Sequence, residues 1–415
     1  MTTDRYPWGR VLGAFALMSV VLTAVVAWPS RSAAPGSRSA MLQGPTWLDA
    51  WFQYDAGWYY GIAESGYFYN PGQQSSIAFF PVFPMGMRAL GWVTGDHQVA
   101  GTLLAVAAGA ASLALFGRWA WSRLPRPAAL TALLVLALYP YALFLYGAMY
   151  ADSVFLLCAL GAFMLLERRW YWAAGLVGAL ATAGRPVGIA VAIGLVVRTL
   201  ELIAEDRARA TTGAEAADTD PTPDPDPAGG ATRARATWRQ LVAAVRDVRW
   251  RHAGVLLSGA GIAAWCVYLW VTFHNPVAFV EVESAPGWNQ GVGPRTWFKI
   301  AFAGTMIKGP YDLAALLAVQ AIACLCAVLL LRRTWRLFGW GYTAYAAVVL
   351  LIPILGTKDF MGTGRYVLVA FPVFAAAGEL LATTRRRWVR PVVLGVCAVL
   401  LLVMTTMYGR GVEVS

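Results

Sequence analysis

The sequence predicts an all-α, polytopic integral membrane protein. Hydrophobic residues make up 59% of its 415 residues and charged residues only 13%, with a mean hydropathy of +0.56. That is more apolar surface than a soluble core of this length can bury, so membrane lipid is its expected solvent. The net charge of +11 comes largely from arginines at the ends of apolar runs, as the positive-inside rule expects. A nucleic-acid partner would need a basic stripe instead, so none is predicted.

The first apolar run covers residues 11–28. Its length approaches the roughly 20 residues of a membrane span and exceeds the usual core of a signal peptide, which favours a retained helix. The arginines before it and the small residues after it leave a cleaved signal peptide open as the alternative.

The loop 29–76 is too polar to cross a membrane and too aromatic for a plain linker. Its tryptophans and tyrosines predict short helices lying at the membrane interface. The loop carries Asp55 and Glu64, two acids that a spanning helix would avoid. We therefore expect the catalytic residues of the protein to lie in this loop.

Further apolar runs alternate with arginine clusters and bring the expected number of hydrophobic segments to about 10 to 12. They cover residues 77–93 (a half-depth helix), 99–116, 128–145, 154–166, 254–273, 313–331, 337–355, 366–381 and 392–407. This alternation predicts that the large arginine clusters lie on the cytoplasmic side. The opposite, extracytoplasmic side is then expected to carry Asp55 and the only three lysines, which are Lys299, Lys308 and Lys358.

The run 172–197 is interrupted by Gly184-Arg185-Pro186. Each piece has about 12 residues, or roughly 18 Å of helix, and neither is expected to cross a core of about 30 Å. A charged break is tolerated where it lines a wet cavity, which makes Arg185 a functional candidate.

The predicted domains are an N-terminal membrane half (1–200) with the catalytic loop 29–76, an insert (201–252) and a C-terminal membrane half (253–415). The insert contains the low-complexity string TDPTPDPDPAGG between arginines. It is expected to be cytoplasmic, disordered and without a catalytic role.

These residues suit glycosyl transfer from a lipid-phosphate sugar. The reaction needs a carboxylate to accept the proton of the attacking hydroxyl and cations to hold the departing phosphate. Asp55 is the expected base, with Glu64 as a second acid and Asp49 as a competing carboxylate. The expected phosphate ligands are Arg185, Arg365, Lys308 and Lys358.

Structural roles remain open for several of these residues. The aromatics can form an interfacial belt, Glu64 can cap a helix or pair with a cation, and Asp152 can cap the helix that follows it. Arg365 and the lysines can be snorkelling residues at helix ends. The three histidines are isolated, so no metal or other cofactor is expected. The alternative function is a transporter or flippase of a lipid-linked glycan, which broken helices and intramembrane charge also suit.

The string DAGWYYGIAESGYFYNPGQQSSIAFFPVFP resembles the first luminal loop of the glycosylphosphatidylinositol mannosyltransferase II (PIG-V) family. That pattern has an Asp before an aromatic pair, then Ile-Ala-Glu-x-Gly-Tyr and Ala-Phe-Phe-Pro-x-x-Pro. The matching positions here are Asp55, Trp58, Tyr59, Ile62, Ala63, Glu64, Gly66, Tyr67, Ala78, Phe79, Phe80, Pro81 and Pro84. Weaker matches lie at 139–153, 179–188 and 364–374. Tyr54 replaces the usual Trp before the Asp, and Asp152 stands where Glu is common.

The resemblance implies a GT-C-type fold, a polyprenyl-phosphate-mannose donor, inversion at the anomeric carbon and Asp55 as the catalytic residue. The substrate pocket would contain Trp58, Tyr59, Tyr67, Phe80, Tyr150 and Asp152. A GT-C enzyme that uses another polyprenyl-phosphate sugar is the nearest alternative. The Arg- and Ala-rich, Lys-poor composition fits a bacterial chain. The expected acceptor is thus a lipid-linked or cell-surface glycan outside the cytoplasmic membrane.

Overall fold

The computed structural model describes residues 6–30, 42, 44–217, 236–291 and 293–415. Over these ranges every regular element is helical and no strand occurs. The first ten α-helices are α1 (Trp8–Ser30), α2 (Asp55–Ser65), α3 (Val82–Thr94), α4 (His97–Trp121), α5 (Arg126–Ala137), α6 (Leu143–Tyr146), α7 (Asp152–Glu167), α8 (Tyr171–Thr182), α9 (Ile189–Ala217) and α10 (Trp238–Ala244). The last ten are α11 (Trp250–Ala253), α12 (Ala260–Phe273), α13 (Ala278–Val282), α14 (Pro294–Trp297), α15 (Ile300–Lys308), α16 (Tyr311–Phe338), α17 (Trp340–Gly356), α18 (Thr363–Val369), α19 (Phe371–Thr383) and α20 (Val389–Gly409).

Six helical stretches of the described chain are long and apolar enough to cross a membrane. A seventh is possible if α18 and α19, which meet at a bend of 77°, count as one span. Three further helices, α5, α8 and α17, are apolar but shorter, with 10 to 17 residues each. The predicted all-α, polytopic membrane architecture is confirmed. The long stretches are Trp8–Trp28, His97–Trp121, Pro186–Thr211, Trp250–Phe273, Tyr311–Phe338 and Val389–Gly409.

The break around Arg185 occurs as predicted, but the helix after it is longer than the sequence suggested. A 3-10 turn (Pro186–Gly188) links α8 to α9, and Pro186–Thr211 is itself long enough to span. The prediction that neither piece crosses is therefore wrong for the second piece. The helix continues because its first charges are paired inside the protein. Arg198 bonds Glu167 and Glu205 at 2.8 and 2.7 Å, and Glu201 accepts from the Gly341 amide at 2.9 Å.

Much of the predicted insert is helical where the structure describes it. Residues 201–217 continue α9, α10 falls within 236–252, and α11 begins there and ends one residue later. Glu201 is only 2% exposed, and its carboxylate also accepts a hydrogen bond from the Trp340 amide, which helps to satisfy the buried charge. The Asp- and Pro-rich string itself lies outside the described residues.

The stretch 139–155 forms the centre of the core. Tyr141, Phe144, Tyr146 and Tyr150 are all at most 1% exposed. Helix α7 packs on α4, and α5 packs on α19. Because so many large side chains are buried together, the backbone that carries Tyr150 and Asp152 is fixed.

The loop after α1 forms the short helices that its aromatic pattern predicted. They are 3-10 helices at Thr46–Trp51 and Ser76–Ala78 with α2 between them, followed by α3. Helix α3 has 13 residues, roughly 20 Å, which is too short to cross a membrane core. The Arg88 guanidinium on α3 donates to the carbonyl oxygens of Ile62 and Ala63 at 3.2 and 2.5 Å. It thereby holds the C-terminal end of α2 in place.

Candidate active site

Asp55 is the first residue of α2. Its backbone amide donates to the Tyr150 hydroxyl at 3.2 Å, and that hydroxyl donates to the Gln53 carbonyl at 3.2 Å. The preceding residue, Tyr54, has a φ of +50°, a backbone conformation that costs of order 1–3 kcal/mol outside glycine. The carboxylate therefore projects from a fixed helix N-terminus, where the helix dipole favours negative charge.

Two arginines and two aspartates from four different elements meet beside this helix. Arg365 Nη1 lies 2.8 Å from Asp55 Oδ2, and Arg365 Nε lies 3.9 Å from Asp152 Oδ2. On the other side of Asp152, Arg185 Nη1 donates to Oδ1. We call Asp55, Asp152, Arg185 and Arg365 the charge quartet. Its formal charges sum to zero, which lets it remain buried.

Most of the quartet is withdrawn from solvent. Asp152 is 1% exposed and Arg185 6%, whereas Asp55 is only half-buried. Arg365 Nε is buried and has no hydrogen-bond partner among the described residues. A guanidinium group held beside a half-buried carboxylate presents positive charge to an incoming anion.

Aromatic rings position both guanidinium groups. Arg365 lies over the rings of Tyr150 and Phe144 at 4.7 and 5.4 Å, and Arg185 lies over the ring of Tyr366 at 4.9 Å. Such contacts hold a cation in one orientation and remain available when its polar atoms change partners.

A cavity of about 180 Å³ opens onto Asp55, Arg185 and Arg365. It is bounded by the first loop, by the break before α9, by the segment 283–290 and by the chain after α20. Among its lining residues are Tyr59, Ala78, Phe79, Phe80, Glu283, Trp288, Gln290, Thr357, Met361, Tyr366 and Glu413. Acidic, basic and aromatic side chains thus face one space.

Glu283 is a cavity residue that the sequence analysis missed. It is half-buried, and its carboxylate has no ion pair within the described residues. Its backbone is held at both ends, because its amide donates to the Glu281 carbonyl and its carbonyl accepts from the Gln290 amide at 2.8 Å. Burial, with a further contribution from the charge of Asp55, raises the pKa of Glu283 to about 7. Its sequence signal was an acid close to Trp288 in an aromatic loop, the same signal that selected Asp55.

Glu413 also escaped notice, because it lies in the short stretch after α20. Burial, followed by the charge of Asp55, raises the pKa of Glu413 above its ordinary value. The Gln320 side chain donates to the neighbouring Val414 carbonyl at 3.3 Å. This bond keeps the stretch against the cavity.

The aromatic residues chosen from the sequence surround the cavity at different depths. Tyr59 and Phe80 line it directly, and Tyr150 is buried beneath Asp55. Trp58 is stacked on Phe79, with ring centroids 5.6 Å apart. One layer farther out, the Tyr67 hydroxyl donates to the Phe79 carbonyl at 2.9 Å and so supports the same wall.

The other predicted residues lie outside the cavity. Glu64, at the far end of α2, is exposed and lies 2.7 Å from His97 Nδ1, and Asp49 Oδ1 accepts from the Gln98 side chain at 3.0 Å. Lys308 is exposed at the end of α15. Lys358 Nζ donates to the Trp288 carbonyl at 3.2 Å and thereby braces the cavity wall. Throughout the described ranges no group of three or more His, Cys, Asp or Glu side chains is placed to hold a metal.

No protein-family model matches the sequence, and no curated protein does. In fold, the chain is similar to the crystal structure of ArnT from Cupriavidus metallidurans bound to undecaprenyl phosphate, at 15% identity and a TM-score of 0.47 over 92% of this chain and 62% of that one. It is also similar to the oligosaccharyltransferase AglB from Archaeoglobus fulgidus in complex with an inhibitory peptide and a dolichol-phosphate, at 11% identity and a TM-score of 0.47 over 100% and 57%. The chain spans about three fifths of the length of these structures.

Proposed function

We propose that this protein is a membrane glycosyltransferase that moves a sugar from a polyprenyl-phosphate donor to a hydroxyl of a glycan acceptor. The observation that carries the proposal is the half-buried Asp55 carboxylate, which shares a cavity with two fixed guanidinium groups. One of these, Arg365, lies 2.8 Å from the Asp55 carboxylate, and its buried Nε makes no hydrogen bond within the described residues. A base and a phosphate site are thereby brought within one cavity.

The reaction would proceed as a single displacement. Asp55 accepts the proton of the acceptor hydroxyl while that oxygen forms a bond to the anomeric carbon. The bond from the anomeric carbon to the phosphate oxygen breaks, and the electron pair leaves with the polyprenyl phosphate. Arg365 and Arg185, whose side chains line the cavity, stabilise the departing charge. Attack opposite the leaving group inverts the configuration.

The finer assignment is a GT-C enzyme of the PIG-V type with mannose as its sugar. The resemblance of the first loop supports it, since the matched positions Asp55, Tyr59 and Phe80 line the cavity. The same resemblance and the arginine pattern support an active site on the extracytoplasmic side of a bacterial cytoplasmic membrane. Its acceptor is a lipid-linked or cell-surface glycan.

The test is mannose transfer from radiolabelled polyprenyl-phosphate mannose in membranes that contain wild type or Asp55→Asn at matched expression. The substitution keeps the size of the side chain and removes its basicity. We expect a labelled product from wild type and at least a hundredfold slower formation in the variant, because a general base contributes roughly 10²- to 10⁴-fold.

Asp49→Asn is the matched control, because it makes the same change on the same loop outside the cavity. If it abolishes transfer while Asp55→Asn does not, the base is misassigned. If wild type transfers mannose from no such donor, a panel of other polyprenyl-phosphate sugars separates another donor sugar from the flippase alternative. A flippase moves labelled lipid across the bilayer without forming a product.

A further inference from the structure

A second cavity lies away from the charge quartet, where α9 meets the chain that precedes α12. Its volume is about 540 Å³. We call it the arginine groove. It is lined by Ile203, Asp206, Arg207, Arg246, Asp247, Val248, Arg249, Arg251 and His252.

The arginine groove carries an excess of positive charge. Four arginines line it against two aspartates, and both aspartates are already paired. Asp247 lies 3.4 Å from Arg207, and Asp206 lies 2.7 Å from Arg169, outside the groove. Within the described residues no ion pair involves Arg246, Arg249 or Arg251. Three guanidinium charges thus converge on one open space without a counter-ion of their own.

Two exposed tryptophans fix the depth of the groove relative to the membrane. Trp250 is 80% exposed and begins the apolar stretch Trp250–Phe273, and Trp172 is 42% exposed near the start of α8. Their rings are 5.6 Å apart. Tryptophans at the ends of apolar helices lie at the headgroup level of a bilayer. The adjoining arginine groove therefore opens where lipid headgroups are found.

We propose that the arginine groove binds the phosphate group of an anionic ligand. Guanidinium groups recognise phosphate by paired hydrogen bonds, and the free charges of Arg246 and Arg249 are the ones available for it. The phosphate comes either from the headgroup of an anionic phospholipid or from a free phosphate in the water phase. This site is independent of the proposed glycosyl transfer.

The experiment compares lipid binding to the full-length protein and to Arg246→Gln/Arg249→Gln by native mass spectrometry. The probes are phosphatidylglycerol and, as the uncharged reference, phosphatidylcholine. We expect wild type to retain phosphatidylglycerol selectively and the variant to bind it roughly 30-fold more weakly, as two lost charges at a lipid surface imply. A parallel titration with inorganic phosphate and pyrophosphate identifies a free phosphate as the source if they compete the lipid away.

Arg386→Gln/Arg387→Gln is the matched control, because it removes two exposed arginines from the connection between α19 and α20, which lines neither cavity. Equal losses in the two variants would show a diffuse charge effect and overturn the proposal. Unchanged binding in the groove variant would overturn it as well. Deleting residues 218–230 is expected to leave binding unchanged. Binding that appears only after this deletion would show that the acidic string of the chain occupies the groove instead.

Discussion

The ion pair between Asp55 and Arg365 joins two distant parts of the chain. Asp55 and Arg365 are 310 residues apart in sequence and 2.8 Å apart in space. The sequence identified both as candidates, since an acid among aromatics and an arginine at a helix end are visible locally. It predicted no pairing between them, because a contact across 310 residues leaves no periodicity or spacing to read.

Glu283 provides a test of the cavity at the level of one side chain. Its pKa of about 7 means that its negative charge appears as the pH rises through neutrality. An anionic phosphate is repelled by that charge, so by linkage donor binding favours the protonated form. We expect the donor KM to increase between pH 6 and pH 8.5 in wild type and to stay flat in Glu283→Gln.

The measurement is transfer rate against donor concentration at each pH. Glu281→Gln serves as the control, because Glu281 lies two residues away, is exposed and binds the Tyr69 hydroxyl at 2.9 Å outside the cavity. An identical pH dependence in wild type and Glu283→Gln would show that Glu283 does not face the donor phosphate.

At the level of secondary structure, the four charged residues of the quartet all lie at helix ends, at helix breaks or on a short helix. Asp55 and Asp152 begin α2 and α7, Arg185 lies between α8 and α9, and Arg365 is on the short α18 before the 77° bend. The break at Arg185 was predictable, because Gly and Pro flank it. The bend between α18 and α19 was missed, because residues 366–381 were read as one continuous apolar run. Pro372, in the first turn of α19, is the local signal of a helix start there.

The position of α18 depends on Gly364, the residue next to Arg365. A Cβ on Gly364 would lie 2.5 Å from the ring of Tyr141, which is fully buried and cannot move aside. Gly364→Ala must therefore displace α18 and with it the Arg365 guanidinium. We expect transfer to fall by roughly tenfold to a hundredfold, because small misplacements of a catalytic group are that costly.

Gly395→Ala is the matched control, since a Cβ there meets no atom within 4 Å. Both variants are first compared for expression and for thermal unfolding in detergent. If Gly364→Ala folds and transfers as fast as wild type, the close packing of α18 on Tyr141 does not position Arg365.

For the whole molecule, composition alone predicted the membrane environment and the helical class. Hydropathy along the chain was less informative about where each membrane span ends. The charges of Arg198 and Glu201 suggested the end of a span, yet the helix continues through them. Arg198 is paired with Glu167 and Glu205, and Glu201 accepts a hydrogen bond from the Gly341 amide. Hydropathy treats every charge as facing water and cannot show that it is neutralised inside the fold.

The predicted orientation can be tested on the intact protein with single cysteines in a cysteine-free background. Lys308→Cys and Arg386→Cys place thiols at exposed positions. An impermeant maleimide added to whole cells should label the first and not the second, because the arginine cluster is expected inside. Opening the cells should make the second reactive.

The reverse labelling pattern would put the cavity on the cytoplasmic side and remove the case for an extracytoplasmic reaction. Labelling of both positions in whole cells would indicate leaky membranes, which a cytoplasmic marker protein with its own cysteine controls for.

The charge quartet also constrains how the protein can be assembled during synthesis. Three of its members, Asp55, Asp152 and Arg185, are synthesised with the first half of the chain, and Arg365 follows about 180 residues later. Until then the nascent bundle holds one more acid than base at its centre, which is costly in an apolar environment. Arrival of the last quarter of the chain removes this imbalance. A truncated product that ends before Arg365 therefore keeps an unpaired carboxylate at the centre of the fold, and we expect it to be less stable than the complete bundle.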